Sequence, residues 1–191
     1  MTQPNDILDF WFSEGLDTPR AAWFQRDDAF DADIRRRFGD LLAPARAGAL
    51  DGWTARPKGT LALLILLDQF PRNLHRGRPE AFASDARARE VARRAVLAEA
   101  QDLRLPPTAR SFLYLPFEHS EAMADQDLSV TLFEGLRDEP ASRAAGGGID
   151  YAWRHWRVIR AFGRFPHRNA ALGRTSTPAE EVYLARPDAG F

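Results

Sequence analysis

The sequence contains no cysteine, and this absence removes several classes of site at once. Disulfides, thiolate metal centres and cysteine nucleophiles are excluded, so any metal would have to be held by histidine and carboxylate side chains. The N-terminal segment also lacks the basic residue and the apolar stretch of a secretion signal. A reducing compartment fits both absences, and we expect a cytoplasmic protein.

Lysine is nearly missing too, because Lys58 is the single lysine among 26 basic residues. The 27 acidic residues bring the formal charge to −1. A chain with so little net charge has no general attraction for nucleic acid or for an anionic membrane, and we expect neither partner. The longest uninterrupted apolar run, at 61–67, is far shorter than the roughly 20 residues that span a bilayer.

Alternation of apolar and polar residues with a period of two is also missing, so strands are not expected. Apolar residues instead recur at three- and four-residue spacing. We predict one all-α domain over 1–191, with about seven to eight helices packed antiparallel around a central apolar helix at 58–70. Pro44 is expected to kink or end an earlier helix, and Pro71 to end the central one. The segment 137–148 ends in three glycines and is predicted to be a flexible loop.

The segment 151–178 contains no acidic residue but holds six arginines: Arg154, Arg157, Arg160, Arg164, Arg168 and Arg174. Buried guanidinium groups need an anion, which either the chain or a ligand can supply. The first alternative is pairing inside the protein with acids of the preceding segment, namely Glu118, Glu121, Asp125, Asp127, Glu134, Asp138 and Glu139. The second alternative is a pocket that binds a small carboxylate or phosphate compound.

Phe-Pro and Arg-Asn recur in the same order at two helix ends, 67–77 and 157–174. Asp68 is costly to bury without a partner, and Arg72, Arg164 or Arg168 would be a natural one. We predict that the two corners meet in space and share one polar pocket. Its predicted ligand-binding residues are Asp68, Arg72, Asn73, His155, Arg164, Arg168 and Asn169.

Acid–base chemistry is the second hypothesis for the same pocket, as in a hydrolase or a transferase. Its predicted catalytic residues are His119, Glu118, Glu121 and His167. His119 or His167 would act as the general acid or base, and Glu118 or Glu121 would orient it. His155 lies on an apolar helix face, where a buried neutral imidazole with one hydrogen-bond partner is the ordinary outcome. Since neither His-Glu-x-x-His, nor Glu-x-x-His, nor a phosphate-binding loop is present, we predict no metal and no cofactor.

Four ordered blocks resemble the bacterial domain of unknown function 924 family. They are Asp-Phe-Trp-Phe at 9–12, Leu-Asp-Gln-Phe-Pro-Arg-Asn at 67–73, Phe-Leu-Tyr-Leu-Pro-Phe-Glu-His-Ser-Glu at 112–121, and Phe-Gly-Arg-Phe-Pro-His-Arg-Asn at 162–169. The resemblance spans nearly the whole chain. It implies an all-helical, tetratricopeptide-like fold and implies no activity.

The chain differs from what this resemblance implies in two respects. Family members have a smoother helix around position 44, where this chain has Pro44. A tetratricopeptide repeat of about 34 residues is not visible in the sequence. A tetratricopeptide-like groove would bind a peptide or a second copy of the chain, so an interaction scaffold is the third hypothesis.

Overall fold

The structure is a computed structural model that describes residues 2–187 and 189–190. Every regular element in these residues is helical, which confirms the all-α prediction. Eight of the described α-helices have seven residues or more, in agreement with the predicted number. The α-helices are α1 (Pro4–Trp11), α2 (Asp28–Phe38), α3 (Leu42–Arg46), α4 (Pro57–Leu64), α5 (Phe70–Leu74), α6 (Asp85–Arg93), α7 (Pro107–Glu118), α8 (Met123–Glu134), α9 (Pro140–Arg143), α10 (Gly148–Phe162) and α11 (Pro178–Leu184).

None of the described helices combines the length and the apolar character that crossing a membrane requires. The tetratricopeptide-like arrangement stays a prediction.

The chain divides into two compact units, which we describe separately. Unit 1 contains the chain up to Arg76 and the segment Glu80–Pro116. Unit 2 contains Gly77–Pro79 and the chain from Phe117 onward. Because the corner at 67–77 falls mainly in unit 1 and the corner at 157–174 in unit 2, the shared pocket stays a prediction.

Unit 1 is built around aromatic side chains and one buried helical segment. The ring of Trp11, which is fully buried, lies 5.6–6.0 Å from the rings of Trp23, Phe30, Phe70 and Phe112. Aromatic pairs at such distances add to the free energy gained from burial. Helix α1, which carries Trp11, packs on α4, and α4 is buried from its third residue onward. An apolar central helix was predicted here.

The predicted end of this helix at Phe70 is wrong, because a π-helical turn at Ile65–Gln69 joins α4 to α5, which runs to Leu74. Pro71 has no N–H to donate to the carbonyl of Leu67, four residues earlier. The hydroxyl of Ser84 donates to that carbonyl instead, at 2.6 Å, and Arg72 donates to the carbonyl of Asp68 at 2.7 Å. The chain therefore stays helical through the proline because side chains satisfy the carbonyls around it.

The prediction that Pro44 kinks or ends the preceding helix is also wrong. Helix α2 already ends at Phe38, and Pro44 is the third residue of the short helix α3. The first N–H groups of a helix have no acceptor inside it, so a proline near the start of α3 removes no helical hydrogen bond.

Unit 2 is organised around the packing of α8 against α10. Val158 and Ile159 of α10 form a buried cluster with Phe165, and Phe162, Met123 and Tyr183 pack around it. Helix α10 ends at Gly163, whose φ of 69° is the left-handed conformation that glycine adopts without steric cost. The segment predicted to be a flexible loop, 137–148, includes the short helix α9. Its flexibility stays a prediction.

Candidate functional site

The first part of the candidate site lies where α7 ends. Glu118 is the last residue of α7 and only 3% exposed, and the half-buried His119 follows it. Gln126 of α8, which is fully buried, donates from its side-chain amide to the carbonyls of Glu118 and Ser120 at 2.6 and 2.7 Å. The last carbonyls of a helix have no partner inside it, and Gln126 supplies one. This amide therefore holds the backbone on both sides of His119.

His155 of α10 brings a second imidazole to the same place. Its Nδ1 lies 2.9 Å from the carbonyl oxygen of Tyr151 and 3.4 Å from Oε1 of Glu118. Because a carbonyl oxygen can only accept, Nδ1 carries the proton and Nε2 has the lone pair. The rings of His119 and His155 lie 6.0 Å apart, and one ligand atom from each of Glu118, His119 and His155 lies within 4.8 Å of the others.

The environment of His155 favours its neutral form. Burial lowers the pKa of His155 well below its usual value, and the nearby His119, Arg168 and His167 lower it further. The hydrogen bond to Tyr151 acts in the opposite direction and is outweighed. The sequence alternative of a buried neutral imidazole bonded to one carbonyl matches this geometry.

Phe165 joins the remaining candidates to this group. Its ring is fully buried, and the imidazoles of His155 and His167 each lie 5.5 Å from it, measured between ring centres. The guanidinium of Arg168 stands 4.5 Å from the centre of the same ring, and the residue is only 6% exposed. Two histidines and an arginine thus surround one aromatic side chain.

Arg164, a predicted ligand-binding residue, is instead engaged by a carboxylate of the protein. Its Nε and Nη2 donate to the two oxygens of Glu180 at 2.6 and 2.8 Å. Such a two-point contact fixes the relative orientation of the guanidinium and carboxylate planes. Arg164 and the backbone N–H of Thr177 lower the pKa of Glu180 to about 2.

A second ion pair joins Glu121 to Arg174. The two guanidinium contacts measure 2.8 and 3.0 Å, and the N–H of Phe165 donates to Glu121 at 2.8 Å. Burial alone would raise the pKa of Glu121, but these bonds outweigh it and lower the pKa. Asn169 accepts from Arg174 at 2.9 Å and donates to Ser176 at 3.0 Å. Arg174 therefore pairs with an acid of the preceding segment, as the first alternative for the arginines proposed. Arg164 also pairs inside the protein, but its partner Glu180 lies after the arginine segment and was not among the predicted acids.

The predicted residues of the other corner belong to unit 1. Arg72 is the ion-pair partner of Asp68, at 3.2 Å, as one of the sequence alternatives proposed. The same guanidinium donates to both oxygens of Asp85 at 3.0 and 3.1 Å. Asn73 donates to Asp31 at 2.7 Å. These three side chains fasten helices of unit 1 to one another.

A family profile described as "Bacterial protein of unknown function (DUF924)" matches residues 7–188 of the chain. The chain belongs to the DUF924 family. A solved structure, that of the protein of unknown function ATU0120 from Agrobacterium tumefaciens, is 38% identical in sequence and superimposes with a TM-score of 0.85. The similarity covers 95% of this chain and 96% of the other. Among proteins of curated function, none matches the sequence.

In this DUF924 protein, the sequence predictions missed the groups that position the site. Nothing in the sequence marks Gln126 as a buried residue, yet its amide holds the turn around His119. The carbonyl of Tyr151 is a backbone group, and no residue type indicates its role. The position of Tyr151 four residues before His155 was the one visible signal, because residues at that spacing lie on the same helix face.

Two surface hollows of the DUF924 protein involve other residues. In unit 1, a polar hollow is lined by Asp51, Gly52, Thr54, Ala55, Arg94, Glu99, Gln101 and Arg104. In unit 2, a second hollow is lined by Arg137, Arg143, Ala144, Ala145, Ile149 and Asp150. Arg94 lies 3.5 Å from Glu99, so the first hollow contains cations and anions that offset each other.

Proposed function

We propose that the DUF924 protein binds a small carboxylate or phosphate compound in unit 2, beside Glu118, His119, His155, His167 and Arg168. The observation that supports this is the convergence of one ligand atom from each of Glu118, His119 and His155 within 4.8 Å. Polar side chains that converge in this way are typical of sites that orient a small molecule.

The choice of an anionic ligand follows from the cationic and imidazole groups that lie near this position. Arg164 and Arg174 each have a carboxylate in a two-point contact and are assigned a structural role. Arg168 stands over the ring of Phe165, together with the two imidazoles that flank this ring. A guanidinium and an imidazole N–H bind carboxylates and phosphates through charge-assisted hydrogen bonds. Arg168 and His167 are the groups assigned this role, because the N–H of His155 already bonds to Tyr151.

A thermal-shift measurement with inorganic phosphate, sulfate and succinate tests the proposal on the full chain. We expect at least one of these anions to raise the melting temperature of the wild type. Arg168→Gln should abolish the response. Arg160→Gln is the matched control, because Arg160 also stands over an aromatic ring, that of Trp156 at 4.9 Å, but is exposed.

His167→Gln provides a second test if Arg168→Gln does not fold, because His167 is half-buried and easier to replace. It should weaken the response to the same anion. A wild type that responds to none of the anions contradicts the proposal. Equal responses of the wild type and of both variants contradict it as well.

Acid–base catalysis on such a compound is the second candidate, and a specific distance favours it. His119, Glu118 and His155 lie close enough for one water molecule to bridge them, which the acid–base hypothesis requires. Hydrolysis of p-nitrophenyl phosphate or acetate is the assay. Replacing His119 by Gln should lower the rate by about 10²–10⁴-fold, the usual contribution of a general acid or base. A rate unchanged by this replacement argues against catalysis by these residues.

The tetratricopeptide-like scaffold stays the third hypothesis. It requires a contiguous exposed surface of several hundred Å², which is about the size of an interaction patch. Binding of a peptide or of a second copy would be its test, by size-exclusion chromatography with light scattering.

A further inference from the structure

Glu118 brings a carboxylate to the proposed anion site. A buried carboxylate beside the ligand position repels an anion, and burial strengthens this repulsion. Yet Glu118 is only 3% exposed and lies 3.4 Å from Nδ1 of His155. A positively charged group between the carboxylate and the anion would remove this repulsion.

We infer that Glu118, His119 and His155 form a site for one first-row divalent metal ion such as Zn²⁺ or Fe²⁺, with a coordination position left open for the anion. One carboxylate and two imidazoles are a donor set that both ions accept. Three protein ligands with an open position are typical of catalytic or ligand-binding metal sites, whereas purely structural zinc sites use four. Only the role of the open position rests on the proposed function.

The distances are compatible with this assignment. One nitrogen or carboxylate oxygen from each of the three side chains lies within 4.8 Å of the others. Ligands at about 2.0–2.2 Å from a metal are separated by about 3.4 Å in tetrahedral geometry and by about 4.2 Å when they lie opposite each other. Bringing atoms from 4.8 Å to these separations takes movements of about 0.6–1.4 Å, to which rotation of the half-buried His119 side chain can contribute.

The groups behind the ligands resemble the outer shell of a metal site. Metal-binding imidazoles usually donate their second N–H to a carbonyl or a carboxylate, which fixes the ring and the tautomer. Nδ1 of His155 makes this contact with the carbonyl of Tyr151 at 2.9 Å, which leaves the lone pair on Nε2. On the other side, the amide of Gln126 holds the carbonyls that flank His119. Both ligand-bearing segments are therefore fixed before any ion binds.

Arg168 also fits this arrangement. A guanidinium near a metal ion would repel it, but a bound anion between the two cations removes this repulsion. Metal and arginine would then hold the same carboxylate or phosphate group from different directions, as cation clamps on phosphoryl groups do. This predicts that the metal and the anion strengthen each other's binding.

The test begins with the full-length protein stripped of metal by a chelator. We expect it to bind one equivalent of Zn²⁺ by calorimetry and of Co²⁺ with a visible absorption band. His119→Gln and Glu118→Gln should each lower the Zn²⁺ affinity by more than about tenfold, since even the loss of an outer-shell partner costs 10- to 100-fold. His75→Gln is the control, because this half-buried histidine lies in unit 1 and should leave the affinity unchanged.

Circular dichroism and melting curves of each variant establish that it is folded, and Glu118→Gln keeps the shape of the side chain. A wild type that binds neither Zn²⁺ nor Co²⁺ overturns the inference. Binding that is equally tight in both ligand variants also overturns it, because the ion would then lie elsewhere.

Phosphate thermal shifts, measured on stripped and on Zn²⁺-loaded protein, separate this inference from the proposed function. A larger shift with Zn²⁺ supports both. Zn²⁺ binding with no shift for any of the three anions supports the metal site and contradicts the proposed function. An equal shift in stripped and loaded protein supports the proposed function and overturns the shared position of metal and anion.

Discussion

The two Phe-Pro corners use similar residues for different purposes. The sequences are Phe-Pro-Arg-Asn at 70–73 and Phe-Pro-His-Arg-Asn at 165–169. The phenylalanine is fully buried in both, and the asparagine in both donates a hydrogen bond, from Asn73 to Asp31 and from Asn169 to Ser176. The shared residues therefore fasten a buried part of the chain in each unit, inside α5 in unit 1 and after the end of α10 in unit 2.

The difference between the two corners lies in their polar groups. In unit 1, Arg72 lies between the carboxylates of Asp68 and Asp85. In unit 2, Phe165 is surrounded by two imidazoles and Arg168. A guanidinium keeps its charge at all ordinary pH values and forms fixed ion pairs, whereas an imidazole can bind a metal or move a proton. The same motif thus supports structure in one unit and a candidate site in the other.

Arg72→Ala should produce the largest effect, because the structural corner depends on this side chain. The substitution leaves the carboxylate of Asp68, only 1% exposed, without its cation. Removing one partner from a buried ion pair costs about 3–5 kcal/mol of unfolding free energy. Urea denaturation measures the loss.

Arg76→Ala is the matched control for Arg72→Ala. Arg76 also pairs with an aspartate, Asp31, but 41% of its side chain is exposed. Exposed pairs contribute about 0–1 kcal/mol, so this variant should unfold close to the wild type. Similar losses for the two variants would show that burial of the Asp68 pair is not what stabilises this corner.

Gln126→Met is expected to have an intermediate effect on the free energy of unfolding, and it tests how unit 2 holds the turn around His119. The side chain keeps its length but no longer donates to the carbonyls of Glu118 and Ser120. Leaving buried polar groups unsatisfied costs about 1–3 kcal/mol, again measured by urea denaturation. Thr131→Ala, an exposed change on the same helix, should stay within about ±0.5 kcal/mol of the wild type. If the Gln126 variant is as stable as the Thr131 variant, the amide does not hold this turn.

Local sequence signals predicted those parts of the fold that depend on neighbouring residues. Thr177, Pro178 and Glu180 have the residue types and spacing of a capping box, and the structure has this box at the start of α11. The passage of the central helix through Pro71 was not predictable in this way. It depends on Ser84, which is distant in sequence and donates to the carbonyl that the proline leaves unsatisfied.

The candidate site was predictable only as a set of residues. The adjacency of Glu118 and His119 is visible in the sequence, but His155 reaches them from another helix of unit 2, α10, which packs against α8. The metal-ligand patterns that can be searched in a sequence place the ligands a few residues apart on one element. A set divided between two segments has no such spacing, so these patterns cannot indicate the metal site that we propose.

The smallest expected effect is the pH dependence of the stability that the Arg164–Glu180 pair contributes. This ion pair is the part of the unit 2 corner that most resembles the Arg72–Asp68 pair of unit 1. The folded protein has the pKa of Glu180 at about 2, below the usual 4.5. The folded state therefore binds this proton less readily than the unfolded chain does. The stabilising contribution of Glu180 is fully present above about pH 4.5 and is lost as the pH falls towards 2.

Urea denaturation between pH 7 and pH 2 measures this contribution as the difference between the wild type and Glu180→Gln. The difference should shrink as the pH falls below about 4.5, since protonation then removes in the wild type the charge that the variant already lacks. Glu181→Gln removes a charge from an exposed neighbouring position and should show no comparable change. A constant difference for Glu180→Gln would mean that its carboxylate acts through shape and hydrogen bonds alone. The ion pair would then no longer be a reason to assign Arg164 a structural role alone, and Arg164 would join Arg168 among the candidate anion-binding residues.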